Sequence, residues 1–103
     1  MKLITKELQR VTPAIGSQQN VINPIAYIKL FTPWSSWTWY IMEANFETGE
    51  AYGLVDGFEA ELGYFDLNEL SEITGPGGLK IERDRWFQPT SLSRLKEQIE
   101  PRR

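Results

Sequence analysis

Every aromatic residue of the chain except Trp86 and Phe87 falls between Tyr27 and Asp66. Aromatic and β-branched side chains fit a pleated, half-buried surface, so this stretch is read as the sheet on which the flanking segments must pack. From Ile25 to Phe31, Ala26, Ile28 and Leu30 point into a core while Tyr27, Lys29 and Phe31 point the other way. Thr32-Pro33-Trp34-Ser35-Ser36 is a turn. Trp37 to Phe46 is heavy on both sides, with Thr38, Tyr40, Met42 and Ala44 opposite Trp37, Trp39, Ile41 and Glu43, as a central strand would be. Glu47-Thr48-Gly49-Glu50 supplies a hairpin loop with a glycine available for positive φ. Ala51 to Val55 is a third strand and Asp56-Gly57 a two-residue turn. Phe58 to Phe65 alternates, with Phe58, Ala60, Leu62 and Tyr64 inward and Glu59, Glu61 and Gly63 outward. Each link is too short for a parallel crossover, which predicts a four-stranded antiparallel meander.

The flanks read as short helices, giving an α+β fold in one domain over residues 1–103. Leu3 to Val11 is helical, with Thr5 as cap, Leu8 and Val11 at helical spacing and Pro13 as stop. Ala14 to Pro24 is polar and aperiodic, a loop long enough for a function of its own. Asp66 with Glu69 has the pattern of a capping box, and Phe65 with Leu70 that of a hydrophobic staple. The helix they open carries Leu67, Leu70 and Ile73 as its stripe and ends at Gly75-Pro76-Gly77-Gly78. Leu79 to Asp84 offers a short fifth strand at the sheet edge. Thr90 or Ser91 caps a last helix with Leu92, Leu95 and Ile99 on one face, and Pro101-Arg102-Arg103 reads as a frayed tail.

Composition removes several chemistries. The 103 residues include no Cys and no His, which excludes disulfides, thiolate catalysis, Cys-rich zinc sites and His-dependent triads. No cofactor and no high-affinity zinc site is expected, and catalysis would have to use carboxylates, Lys, Tyr or hydroxyls. No apolar run is long enough for a membrane helix, and charges at Lys6, Glu7 and Arg10 break any secretory signal. A cytoplasmic protein without membrane contact is the expectation. The net charge of −3 is unevenly spread: residues 30–79 hold nine acids and no Lys or Arg, and the segments before and after are basic. An acidic surface of this kind suits a basic partner, or basic helices of the same chain.

Three constellations stand out. Trp34, Trp37 and Trp39 form a candidate aromatic platform for a protein partner, or else pack under a helix. The lack of nearby bases disfavours direct nucleic-acid binding there. Glu59 and Glu61 share one side of a strand, and Glu43 is a candidate to join them from a neighbour; such carboxylates suit a hard cation, acid–base work or a solvated face. Glu82-Arg83-Asp84-Arg85 reads as surface ion pairs. Gly75-Pro76-Gly77-Gly78 lacks the lysine and spacing of a phosphate loop.

Several blocks resemble a known family: Lys2 to Glu7, Ala26 to Pro33, Trp37-Thr38-Trp39-Tyr40, Tyr52 to Val55, Gly57-Phe58-Glu59 and Glu61 to Phe65. Leu67, Glu69-Leu70, Ile81 to Asp84, Phe87 and Pro89 extend the likeness. Together they resemble the bacterial and phage family called domain of unknown function 2958. The resemblance implies a passenger of plasmids, phages or integrative elements, and an accessory or defence-related role rather than a metabolic one. It transfers no activity. The expected function is therefore a non-enzymatic protein-binding module that presents Trp34, Trp37, Trp39, Glu43, Glu59 and Glu61 to another protein, such as a basic nuclease or defence protein. The alternatives are a DNA mimic that inhibits restriction or other defence enzymes, and a carboxylate-dependent metal hydrolase.

Overall fold

The computed structural model describes residues 3–100; Met1, Lys2 and the tail Pro101-Arg102-Arg103 lie outside them. In chain order the elements are α1 (Lys6–Val11), β1 (Ile25–Ala26), β2 (Ile28–Phe31), β3 (Thr38–Asn45), β4 (Glu50–Asp56) and β5 (Ala60–Asp66). Then come α2 (Leu67–Glu72), a 3-10 turn at Pro76–Gly78, β6 (Glu82–Arg83), β7 (Thr90–Ser91) and α3 (Leu92–Ile99). The sheet is antiparallel, in the order β5-β4-β3-β2-β6: the expected meander, closed by the expected fifth strand against β2. A separate ribbon pairs β1 with β7, Ile25 facing Ser91 and Ala26 facing Thr90.

Strand β3 lies at the centre and is buried from Trp39 to Ala44. Its alternation breaks once. Ile41 pairs with Gly53 and Glu43 with Tyr52, so Met42 is the extra residue of a bulge. The bulge shifts the parity: Glu43 falls on the side of Tyr40 and Met42, and Ala44 on the side of Trp39 and Ile41. The sequence alternation had placed these two residues the other way round. Two cores result. Against one face, Trp39, Ile41 and Ala44 pack with Ile28, Leu30, Ala51, Ile4, Leu67, Leu70 and Ile81. Against the other, Tyr40, Met42 and Leu54 pack with Ala26 and the α3 residues Leu92, Leu95 and Ile99. The sheet is thus a middle layer between α1 and α2 on one side and α3 on the other.

The first strand splits for the same reason, two cores on opposite faces. Ala26 belongs to the α3 core, whereas Ile28 and Leu30 belong to the α2 core, so the chain turns over at Tyr27. The Tyr27 amide still donates to the Ile41 carbonyl at 2.8 Å, which holds the break against β3. The Asp56-Gly57 turn is longer than expected: Asp56 pairs with Ala60, leaving Gly57, Phe58 and Glu59 as a three-residue loop. Leu62 and Tyr64, expected to face inward, are exposed because β5 is the outermost strand, and Phe58, also expected inward, is exposed because it lies in the loop before β5. In α1 the buried anchor is Ile4, before the helix, and Val11 faces solvent.

The helix after the meander forms where its start signals lie. Asp66 accepts from the Asn68 amide at 2.8 Å, so the cap closes on the second helical residue and not on Glu69. Phe65 and Leu70 both pack into the α2 core, as a staple requires. The helix ends at Glu72, so Ile73 is its cap and is partly exposed rather than part of the stripe. Its N-terminus rests on the β3–β4 hairpin tip. The Leu67 amide donates to the Gly49 carbonyl at 2.8 Å and Asn68 Nδ2 to the Thr48 carbonyl at 3.1 Å. Gly49 has φ 89°, and a side chain there would collide with Asn68. At the other end Ser91 caps α3 through the Arg94 amide, and Asn23 caps it again through the Ser93 amide at 3.0 Å.

Replacing Asp66 with Ala is expected to cost about 1 kcal/mol of folding free energy. Urea unfolding at constant m-value measures it, and an unchanged midpoint would show that the cap contributes nothing.

Candidate functional site

The six candidate residues do not form one site. Trp39 is buried in the α2 core. Trp34 packs over Gly75, where any side chain would collide with the indole ring, and so fastens the segment after α2 to the β2–β3 turn. Trp37 borders an open hollow at the surface. Its ring lies 6.0 Å from Trp39, and Phe58 meets it edge-on at 5.3 Å and 81°. Gly57 lies under the Trp37 ring, which leaves no room for a Cβ there. That close approach lets the loop fold its Phe over the Trp.

Around this pair the chain forms a shallow hollow of about 430 Å³, lined by Trp37, Val55, Gly57, Phe58, Glu59 and Glu61. Glu59 closes the loop by accepting the Gly57 amide on its backbone carbonyl at 3.1 Å, which leaves its exposed side chain at the rim. Glu61 pairs with Val55 across the strands and flanks the same hollow. Phe58 is 88% exposed although its ring is held. The Phe58 ring, exposed yet packed on Trp37, joins three of the predicted residues, Trp37, Glu59 and Glu61, in this hollow.

Glu43 does not join Glu59 and Glu61; the Met42 bulge sends it to the opposite face. There it is 4% exposed and accepts from the Gly16 amide at 2.6 Å and the Gln18 amide at 2.9 Å. Gly16 has φ 90°, which helps turn both amides of the loop onto one carboxylate. Gln18 completes the clasp. Its amide nitrogen donates to the carbonyls of Ile25 and Met42, and its oxygen accepts from the Ile25 amide. The loop of residues 14–24, open to a functional role on sequence grounds, is thereby tied to β1 and β3.

Three exposed aromatic residues, Phe58, Tyr64 and Trp86, escaped the sequence reading. Phe58 was placed inward by the alternation of β5, although a loop of three residues presents its middle one to solvent. Trp86 is 89% exposed. Asp84 accepts from the Trp86 amide at 2.9 Å, and the turn it forms sends Phe87 inward onto Tyr40 and Trp86 outward. The Asp before two aromatics was the available signal. Trp86 borders a cleft of about 680 Å³ with Lys29, Phe31, Ser36 and Arg85. The charges there are largely engaged: Lys29 pairs with Asp84 at 3.6 Å and Arg83 Nε donates to the Leu3 carbonyl at 2.7 Å.

Among the described residues no three His, Cys, Asp or Glu side chains converge as a metal-holding group, and no helix is long and apolar enough to cross a membrane. Over residues 3–100 the chain matches the family described as "Protein of unknown function (DUF2958)", and it belongs to that family. No curated protein and no solved structure matches it.

Replacing Glu43 with Ala is expected to destabilise the fold by roughly 2–3 kcal/mol, because it leaves the amides it bound without their acceptor. Faster amide exchange at Gly16 and Gln18 would mark the cause. Unchanged exchange would mean that the loop is held without this carboxylate.

Proposed function

We propose that this DUF2958 protein is a non-catalytic binding module of a plasmid, phage or integrative element. It works in the cytoplasm by docking a basic protein on the hollow formed by Trp37, Phe58, Glu59 and Glu61. The observation that carries this reading is Phe58, exposed yet held edge-on against Trp37. A partner that covers such a ring gains buried aromatic area with little loss of side-chain freedom, the property of an interface anchor. The flanking carboxylates supply attraction for Lys and Arg and discriminate against acidic partners. A nuclease or another defence protein with a basic face would fit this chemistry.

Imitation of DNA draws less support. Of the nine acids between residues 30 and 79, Glu43 and Asp56 are buried and Asp66 is occupied as a helix cap. The remaining carboxylates favour recognition of a compact basic patch over replacement of a phosphate backbone. A carboxylate-dependent hydrolase draws still less, since Glu43 and Glu61 face opposite sides of the sheet.

Affinity capture with the full chain identifies the partner, and binding kinetics test the site. Phe58→Ala should weaken binding by about 2 kcal/mol, chiefly through faster dissociation. E59K/E61K should slow association and flatten its salt dependence while leaving Tm nearly unchanged. If the charge reversal unfolds the protein, the two Glu are structural ion-pair partners. If both variants bind like the wild type, the partner docks elsewhere.

A further inference from the structure

The two edges of the sheet are built differently. β6 is two residues long and both are charged, Glu82 and Arg83. β5 is seven residues long, Ala-Glu-Leu-Gly-Tyr-Phe-Asp, with no Lys and no Pro. Its pairing with β4 runs from Asp66 opposite Glu50 to Ala60 opposite Asp56 without a register shift, so no bulge turns it away from solvent. Among the described residues β4 is its only strand neighbour. Sheet edges are ordinarily blunted by shortness, lysine, proline or bulges, because a row of unpaired backbone groups templates another strand. β6 is blunted in this way and β5 is not.

We infer that β5 pairs with β5 of a second copy, antiparallel about a two-fold axis through Gly63, and joins the two sheets into one. The strand is self-complementary in that register. Leu62 meets the partner's Tyr64 and Tyr64 the partner's Leu62, while Glu61 meets the partner's Phe65 and Asp66 the partner's Ala60. No carboxylate opposes a carboxylate, the pairing that would destabilise an antiparallel ladder. The apolar pair is the part of β5 now in water: Leu62 is 41% and Tyr64 64% exposed. Tyr64 lies 4.8 Å from Tyr52, and both border a hollow of about 450 Å³ that also reaches Met42 and the fully exposed Ile22. Pairing at β5 extends that apolar face across the axis, the same patch serving on both copies.

Gly63, at the axis, adds no side chain to either face, and a Cβ built there would touch nothing within 4 Å, so the fold of one chain leaves the middle of the strand uncrowded. The inference does not rest on the docking function of the Phe58 hollow: its central pair is Leu62 with Tyr64, and Glu61 is the one β5 residue that both surfaces share.

Analytical ultracentrifugation of the full chain over a concentration series tests it. The wild type should dimerise. L62K/Y64K sets lysine against lysine twice across the axis and should raise the dimer Kd by about tenfold or more. L62K/Y64E sets each introduced lysine against the partner's introduced glutamate, and should recover most of the affinity. Circular dichroism melts confirm that each variant is folded before it is compared. A wild type that stays monomeric throughout overturns the inference. So does a folded L62K/Y64K that dimerises like the wild type, or a folded L62K/Y64E that associates no better than L62K/Y64K.

Discussion

The bulge at Met42 is the constraint on which the rest of the structure depends. In an unbroken β3, Glu43 would follow Trp39 and Ile41 into the α2 core, where a carboxylate without partners is costly. The extra residue turns Glu43 to the other face, where the amides of the 14–24 loop meet it. It also brings Ala44 opposite Ala51, a small pair within the α2 core. Gly53 belongs to the same device, since a Cβ there would collide with the Tyr40 carbonyl oxygen. One inserted residue thus decides which face is dry, where the loop attaches and which position must be glycine.

The clasp around Gln18 shows how a long loop can be structural. Its side-chain amide satisfies the carbonyls of Met42 and Ile25 and the Ile25 amide, the backbone groups left over where the bulge and the short β1 interrupt regular pairing. Buried backbone groups must be paired somewhere, and here a side chain replaces a ladder. The Pro13 carbonyl, accepting from the Ala44 amide at 3.0 Å, adds a further tie on the same strand. Ala14 to Pro24 is ordered by the ties that its Gly16 and Gln18 make to β1 and β3, together with turns of its own such as the Ser17 amide on the Ala14 carbonyl at 3.0 Å.

Much of the architecture was legible because it rests on local chemistry. The meander follows from alternation and short links, α2 from Asp66, Phe65 and Leu70, and α3 from Leu92, Leu95 and Ile99. What was not legible depends on contacts between distant residues. A bulge leaves no mark in the alternation of Trp37 to Phe46, so the face of Glu43 could not be read. The exposure of Leu62 and Tyr64 reflects the place of β5 at the outer edge of the sheet, and that of Phe58 a loop one residue longer than the turn signal suggests; neither is encoded in a local pattern. Of the candidate site, Trp37, Glu59 and Glu61 come together as strand pairing allows. Trp34 and Trp39 instead meet packing partners far along the chain, Gly75 and the α2 core.

The ribbon between β1 and β7 has a consequence in time. It joins Ile25 to Ser91 and, through the Pro24 carbonyl and Leu92 amide, seats the start of α3. The hairpins from β3 to α2 close loops of a few residues, whereas this ribbon closes a loop spanning most of the chain. Long closures cost more entropy and must wait until the intervening segment is ordered. The α3 core, closed by the longest of these loops, is therefore expected to be among the last parts to assemble, and until then the Tyr40, Met42 and Leu54 face of the sheet would lack its cover.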